Sequence, residues 1–198
     1  MTTVVPSDLE RHVSCLIVAI EYYPQIAIKM IKDTVDDVLE KLNKDPNNKF
    51  MNSLDYPDKV SIETLSTEGF NKLDITLLFK LIQHFNLVHA PTGKWGRRPS
   101  LATHTKEGDD MERMRINRNY IIHRPRLSVS KKKRDKFFKE SIEIARRFDD
   151  SNGSFETKIR NTKMYSITLD QSNQALEKCP TSQGKFNIPQ ITEIMLTF

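Results

Sequence analysis

The segment 113–126, RMRINRNYIIHRPR, contains three residues whose types could together act on a phosphate group. They are the adjacent Arg118 and Asn119, and His123, four residues after Asn119. A histidine side chain, with a pKa of about 6.5, can move a proton at neutral pH. A guanidinium can bind a phosphate through two donors and offset developing negative charge. Since residues four apart share a helix face, we expect Asn119 to hydrogen-bond the imidazole and orient it.

A charged helix end is the alternative interpretation of the same residues. In that case the helix dipole would stabilise His123, Arg118 would be solvated, and the basic residues of the segment would lie on the solvent face. With twelve arginines and five histidines, about one arginine followed by a histidine at this spacing is expected by chance. Arg97 and Arg98 precede His104 at similar spacing, in a loop rich in Pro and Gly. Spacing alone therefore does not identify an active site.

Positive charge is concentrated around this segment. Between Met111 and Phe148 there are thirteen Lys and Arg against four Asp and Glu, a net charge of +9, whereas the whole chain carries +5. Such a field favours a polyanionic partner, either a nucleic acid or an acidic protein surface, although a solvated helix face is also possible. The candidate RNA contacts are Arg115, Arg124, Arg126, Lys131, Lys132 and Lys133.

Apolar residues recur at helical spacing in most of the chain, which predicts an all-α fold of about five helices. Ser7 and Glu10 form a capping-box pattern before the first helix. Residues 46–70 are expected to be a long connection with at most a short helix at 62–66. The predicted helices lie within residues 7–20, 24–43, 73–85, 109–124 and 128–148.

Composition divides the chain near residue 149. We expect a helical domain over residues 7–149 and a C-terminal extension over 150–198, irregular except for a weak strand pattern at 155–169. No apolar run approaches the roughly 20 residues that span a membrane. Cys15 and Cys179 suggest neither a disulfide framework nor a metal cluster, which makes a reducing, cytoplasmic location the expectation.

Three blocks of sequence, in order, resemble a HEPN domain (higher eukaryotes and prokaryotes nucleotide-binding), and most closely the subfamily of the DAZ-interacting zinc-finger ubiquitin ligases. LDITLLFKLIQ at 73–83 resembles its apolar third helix. TGKWGRRP at 92–99 resembles its Gly-Trp…Pro loop, with Lys94 inserted between Gly and Trp. DDMERMRINRNYIIH at 109–123 resembles its acidic helix start, which leads to the Arg, polar residue and later His of the HEPN signature. The resemblance covers roughly residues 7–149.

The resemblance implies metal-independent RNA cleavage without a cofactor. Two domains pair so that their Arg–His motifs face each other, which implies a homodimer with Arg118, Asn119 and His123 as the catalytic residues. The RNA 2′-hydroxyl attacks the adjacent phosphate and leaves a cyclic phosphate and a 5′-hydroxyl. Many HEPN domains have lost this activity. The alternative is therefore an inactive dimerisation or interaction module, with partner proteins in innate-immune or ubiquitin-linked signalling. Neither interpretation involves a membrane.

Overall fold

The computed structural model describes residues 7–100, 103–124, 128–149 and 154–164, and these residues are helical with connecting turns and loops. The prediction of an all-α fold is confirmed, and no strand occurs within the described ranges. The α-helices are α1 (Asp8–Ile17), α2 (Tyr23–Met30), α3 (Val35–Asn43), α4 (Lys49–Asn52), α5 (Tyr56–Glu63), α6 (Leu65–Glu68), α7 (Ile75–Phe85), α8 (Glu107–Ile122), α9 (Lys131–Phe148) and α10 (Ser154–Met164). A π-helical segment, Val18–Tyr22, lies between α1 and α2, and 3₁₀ turns occupy Pro46–Asn48 and Phe70–Lys72.

The chain divides into two compact units. Unit 1 is formed from Met1–Tyr22 and Ile116–Phe198, and unit 2 from Tyr23–Arg115. Unit 1 therefore holds α1, the end of α8, α9 and α10, whereas unit 2 holds α2 to α7 and the start of α8. The predicted Arg–His motif falls entirely within unit 1.

Unit 1 is built on α1, α9 and α10, which pack on one another. The predicted capping box begins α1: the Ser7 hydroxyl accepts from the Glu10 N–H, and the Glu10 carboxylate accepts from the Ser7 N–H. Ser130 is the N-cap residue of α9, within two residues of the predicted start at 128. The apolar faces of the three helices are buried, including Val13, Leu16, Phe138, Ile144, Phe155 and Ile159.

The strand pattern predicted at 155–169 is wrong where the structure describes it, because residues 154–164 form α10. Phe155 and Ile159, four residues apart, are the two buried side chains of this helix. The Asp149 carboxylate accepts from the backbone N–H groups of Phe155 and Glu156, which satisfies donors at the helix start. The apolar period is thus helical, and residues 165–169 lie outside the described part of the chain.

Unit 2 contains more and shorter helices than the sequence pattern indicates. The predicted helix over 24–43 is two helices, because Thr34 starts α3 with a capping box to Asp37. The predicted connection 46–70 holds α4, α5 and α6, with Asp55 capping α5 through its side chain. Both starts carry ordinary N-cap signals that apolar periodicity alone does not detect.

Residues from all three blocks of the HEPN resemblance meet in unit 2. Phe79 of α7 packs edge-on against Trp95, with ring centroids 5.4 Å apart. The guanidinium of Arg115 lies over the Phe79 ring, 5.1 Å from its centroid. Trp95 is therefore a packed loop anchor rather than a free stacking platform.

Buried charges in the first turns of α8 hold the loop that precedes the helix. The Asp109 carboxylate accepts from the Thr92 N–H and hydroxyl at 2.8 and 2.7 Å, and Glu112 accepts from the Gly96 N–H at 2.5 Å. Arg113 donates to the Ser100 carbonyl at 2.6 Å and pairs with Asp110 at 2.5 Å. The helix approaches the loop so closely that a Cβ on Gly108 would lie 2.6 Å from the His89 carbonyl oxygen.

The helical stretch Asp8–Met30 is, by length and composition alone, sufficiently long and apolar to cross a membrane. It is the only such stretch in the described ranges, and 61% of its apolar 18-residue part is buried inside the protein. Burial of this extent is typical of a core helix. The sequence predicts no spanning segment because no uninterrupted apolar run is long enough. This helix is longer than any such run because it includes charged residues such as Glu21.

Candidate nucleic-acid site

His123 lies in the turn that ends α8, and its side chain is exposed. Its backbone N–H donates to the Asn119 carbonyl oxygen at 3.1 Å, which continues the helical hydrogen-bond pattern by one residue. Within the described residues, no hydrogen bond reaches the imidazole ring. A fixed backbone therefore presents this ring to solvent, where a ligand can reach it.

Arg118 and Asn119 are held differently from the expectation. Arg118 is only 9% exposed and Arg113 only 1%, so neither is solvated as the charged-helix-end interpretation supposes. An Nη of Arg118 donates to the Asn119 side-chain oxygen at 3.1 Å. The Asn119 side chain thus bonds the guanidinium rather than the imidazole. Asn119 bonds the arginine of the motif, and the backbone of His123 is fixed by the helix.

A buried polar pair lies next to the motif in unit 1. The Asn117 amide donates to the Glu140 carboxylate at 2.9 Å, and each residue is 5% exposed. This bond ties α8 to α9 immediately before Arg118. Sequence reasoning missed both residues. The available signal was Glu140, a carboxylate among the apolar residues Phe137, Phe138 and Ile144 that form the buried face of α9.

The predicted RNA contacts belong to both units. Arg115 belongs to unit 2, where it pairs with Glu112 at 2.7 Å and covers Phe79, so its guanidinium has a structural role. Lys131, Lys132 and Lys133 begin α9 in unit 1 and are exposed. Arg126 lies outside the described residues.

Arg124 and Lys133 converge on Tyr120. The Arg124 guanidinium carbon lies 4.7 Å from the centre of the Tyr120 ring, and the Lys133 ammonium lies 5.6 Å from it. Arg124 also donates to the Tyr120 hydroxyl. Sequence reasoning missed Tyr120, whose ring joins the two cations.

His12 of α1 is a second histidine near this end of α8. It is 2% exposed. Its burial, together with the nearby charge of Arg124, lowers its pKa to about 4. Its Nδ1 has no hydrogen-bond partner within the described ranges. At neutral pH this imidazole is uncharged, so it adds no positive charge near Arg124.

A shallow pocket in unit 2 is a weaker candidate site. Its lining includes Lys80 and His84 beside Phe50. Lys80 pairs with Asp58 at 2.6 Å, and His84 contacts Asp45 at 3.1 Å. Since both basic groups are already bonded to carboxylates, this pocket offers a ligand little positive charge.

The depressed pKa of His12 predicts that unit 1 loses stability as the pH falls. The folded pKa is about 4 and the ordinary value is 6.5, so the unfolded chain binds the proton more readily. Stability should decline from pH 6.5 down to about pH 4, by about 3 kcal/mol for this group alone. Urea unfolding followed by circular dichroism across this range measures the decline. His12→Leu should flatten it, and an unchanged pH slope in that variant would contradict the assignment.

No family model, curated protein or solved structure matches this chain, so the chemistry of its own residues carries the functional argument.

Proposed function

We propose that this chain is a HEPN-type RNA-binding protein and a metal-independent endoribonuclease. The observation that carries the proposal is the exposed His123 imidazole at the end of α8, one helical turn beyond the bonded pair Arg118–Asn119. The exposed lysines at the start of α9 support it, because they belong to the same unit. Together these groups offer a proton acceptor and positive charge for a phosphodiester.

In the proposed reaction the 2′-hydroxyl of RNA attacks the adjacent phosphorus. The His123 imidazole accepts the hydroxyl proton as the O2′–P bond forms. The P–O5′ bond breaks, and O5′ takes a proton to become a 5′-hydroxyl. The other product is a 2′,3′-cyclic phosphate. Arg118 offsets negative charge that develops on the phosphate oxygens, in the orientation that Asn119 gives it.

A second copy of the chain would complete the site. One neutral imidazole can accept the first proton, but a protonated group must then supply the proton that O5′ takes. In a two-fold dimer the same histidine of the second copy can do this. We therefore propose that the active form is a homodimer in which two motifs face one substrate.

The burial of Arg118 favours a second candidate function. A guanidinium that is 9% exposed and bonded to its neighbour Asn119 also suits a structural role. The protein would then be an inactive interaction module whose α8 and α9 surfaces recruit signalling or ubiquitin-ligase proteins. The two functions differ in whether His123 is needed for RNA cleavage.

Replacing the histidine tests catalysis directly. His123→Ala should reduce the rate of RNA cleavage by about 10²–10⁴, because it removes the proton acceptor. RNA affinity should change little, since the phosphate contacts remain. Gel analysis of a labelled RNA measures the rate, and cleavage should continue in EDTA. A DNA copy of the substrate should stay uncut because it lacks the 2′-hydroxyl.

His89→Ala is the matched control, since His89 is another exposed histidine but lies in unit 2. It should cleave at the wild-type rate. If the His123→Ala protein also cleaves at that rate, the endoribonuclease proposal fails for this motif, and the interaction module becomes the better function.

The lysines at the start of α9 should govern RNA affinity. Replacing Lys131, Lys132 and Lys133 by Ala should weaken binding to all RNA sequences alike and flatten the dependence of affinity on salt, because fewer counterions are released. Fluorescence anisotropy at several salt concentrations measures both quantities. The control removes the same charge from three exposed lysines of unit 2: Lys32, Lys49 and Lys72. Equal losses in the two triple variants would mean that only net charge matters.

The proposed two-motif site predicts a dimer at working concentration. Multi-angle light scattering at tens of micromolar protein should give a mass near twice the chain mass of 23.0 kDa. A monomer that nevertheless cleaves RNA would exclude the proposed sharing of protons between two copies.

A further inference from the structure

Two cations share one partly exposed tyrosine in unit 1. Tyr120 of α8 is 37% exposed, and its ring has the Arg124 guanidinium carbon at 4.7 Å and the Lys133 ammonium at 5.6 Å. Arg124 also donates to the tyrosine hydroxyl. These three residues, from the end of α8 and the start of α9, are called the tyrosine cluster below.

The tyrosine cluster has no internal counter-charge. Within the described ranges neither Arg124 nor Lys133 forms an ion pair, whereas other arginines, such as Arg113 and Arg146, bind carboxylates. Two like charges near one ring repel each other, and the negative face of the ring only partly offsets that repulsion. An anion placed between the cations would relieve the repulsion. The cluster is thus an arrangement that a bound anion stabilises.

The position of the cluster along the chain connects it to the candidate site. Tyr120 directly follows Asn119, and Arg124 directly follows His123. Lys133 lies in the first turn of α9, and its side chain is exposed. The cluster and the exposed imidazole therefore belong to the same helix end.

We infer that the tyrosine cluster is a phosphate site that binds a backbone phosphate of single-stranded RNA beside the phosphate that is cleaved. This inference rests on the proposed function, and it adds Tyr120 as a positioning residue. The guanidinium supplies paired donors and the ammonium supplies a compact charge, a combination suited to the oxygens of a phosphate. Tyr120 holds both cations in place through its ring and its hydroxyl.

Two adjacent lysines provide a matched test. Lys132 and Lys133 are both exposed in the first turn of α9, but only Lys133 has a described contact with Tyr120. Binding is measured with a 2′-O-methyl RNA, which cannot be cleaved, by fluorescence anisotropy at several salt concentrations. Lys133→Ala should weaken binding about tenfold and reduce the salt slope by about 0.7, the value for one phosphate contact on a single strand. Lys132→Ala should weaken binding less than about threefold, as loss of a distributed charge does.

Tyrosine variants test the positioning role. Tyr120→Leu should resemble Lys133→Ala in affinity and in salt slope, although it removes no charge. Tyr120→Phe keeps the ring and should fall between Tyr120→Leu and the wild type. Tyr56→Leu is the control, because Tyr56 is a more exposed tyrosine, at 78%, in unit 2. If Tyr120→Leu does not fold, the two lysine variants still decide, because they leave the ring intact.

Inorganic phosphate distinguishes a general phosphate site from one that requires RNA. Phosphate alone should raise the melting temperature of the wild type by mass action, and it should raise that of Lys133→Ala less.

Equal effects of Lys132→Ala and Lys133→Ala on RNA binding would overturn the inference, as would a wild-type salt slope in Tyr120→Leu. A poly-glutamate peptide that binds as tightly as RNA of equal charge would also overturn it, in favour of an acidic protein partner.

The outcome is separable from that of the proposed function, because none of these measurements requires cleavage. A difference between the lysine variants in a protein that does not cut RNA would support the phosphate site and remove the endoribonuclease proposal. Equal lysine variants in a protein that depends on His123 for cleavage would remove the phosphate site alone.

Discussion

Charged side chains buried at the start of α8 impose the strongest constraint on this fold. Asp109, Asp110 and Glu112 are fully buried, and Arg113 is 1% exposed. Removing such charges from water costs several kcal/mol for each ion, so every one needs a partner. Two carboxylates pair with arginines. Asp109 and Glu112 also accept from the backbone N–H groups of Thr92 and Gly96, and Arg113 donates to the Ser100 carbonyl. The loop and the helix start therefore hold each other in place. Breaking one of these contacts would leave a buried charge without its partner.

Within unit 1 a buried polar pair also joins α8 to α9. The Asn117 amide donates to the Glu140 carboxylate, and both side chains are buried. In the residues that follow, Arg118 is buried and bonded to Asn119, whereas Tyr120 and His123 are exposed. The candidate groups at this helix end therefore come directly after a buried, hydrogen-bonded pair.

The basic residues of this region consequently have distinct roles, although they resemble one another in sequence. Arg113 and Arg115 neutralise buried carboxylates in unit 2. Arg124 is held against an aromatic ring in unit 1, whereas Lys131 and Lys132 extend into solvent. The net charge of the segment therefore overstates the positive charge left at its surface. What remains for a ligand is the exposed imidazole, the tyrosine cluster and the lysines at the start of α9.

The sequence by itself determined the helical class and several helix starts, because apolar periodicity and N-cap residues act locally. Ser7 caps the helix that its position predicts, and the apolar pattern places α7 within the predicted range 73–85. It also placed Arg118, Asn119 and His123 on one helix end. The short helices of unit 2 were missed, since brief elements gain their stability from packing rather than from a long periodic pattern. Helix α10 was missed because only two side chains, Phe155 and Ile159, mark its buried face.

Only the tertiary structure decided which charges are buried. Helix α8 lacks an apolar stripe that would mark its inner face, because charged residues occupy much of that face. A charged side chain is predicted to be exposed unless its partner is known. The partners of Arg113 lie up to thirteen residues away, and Glu140 lies 23 residues from Asn117. For the same reason no local pattern could show that Tyr120 joins Arg124 to Lys133, since that contact requires α8 and α9 to be packed together.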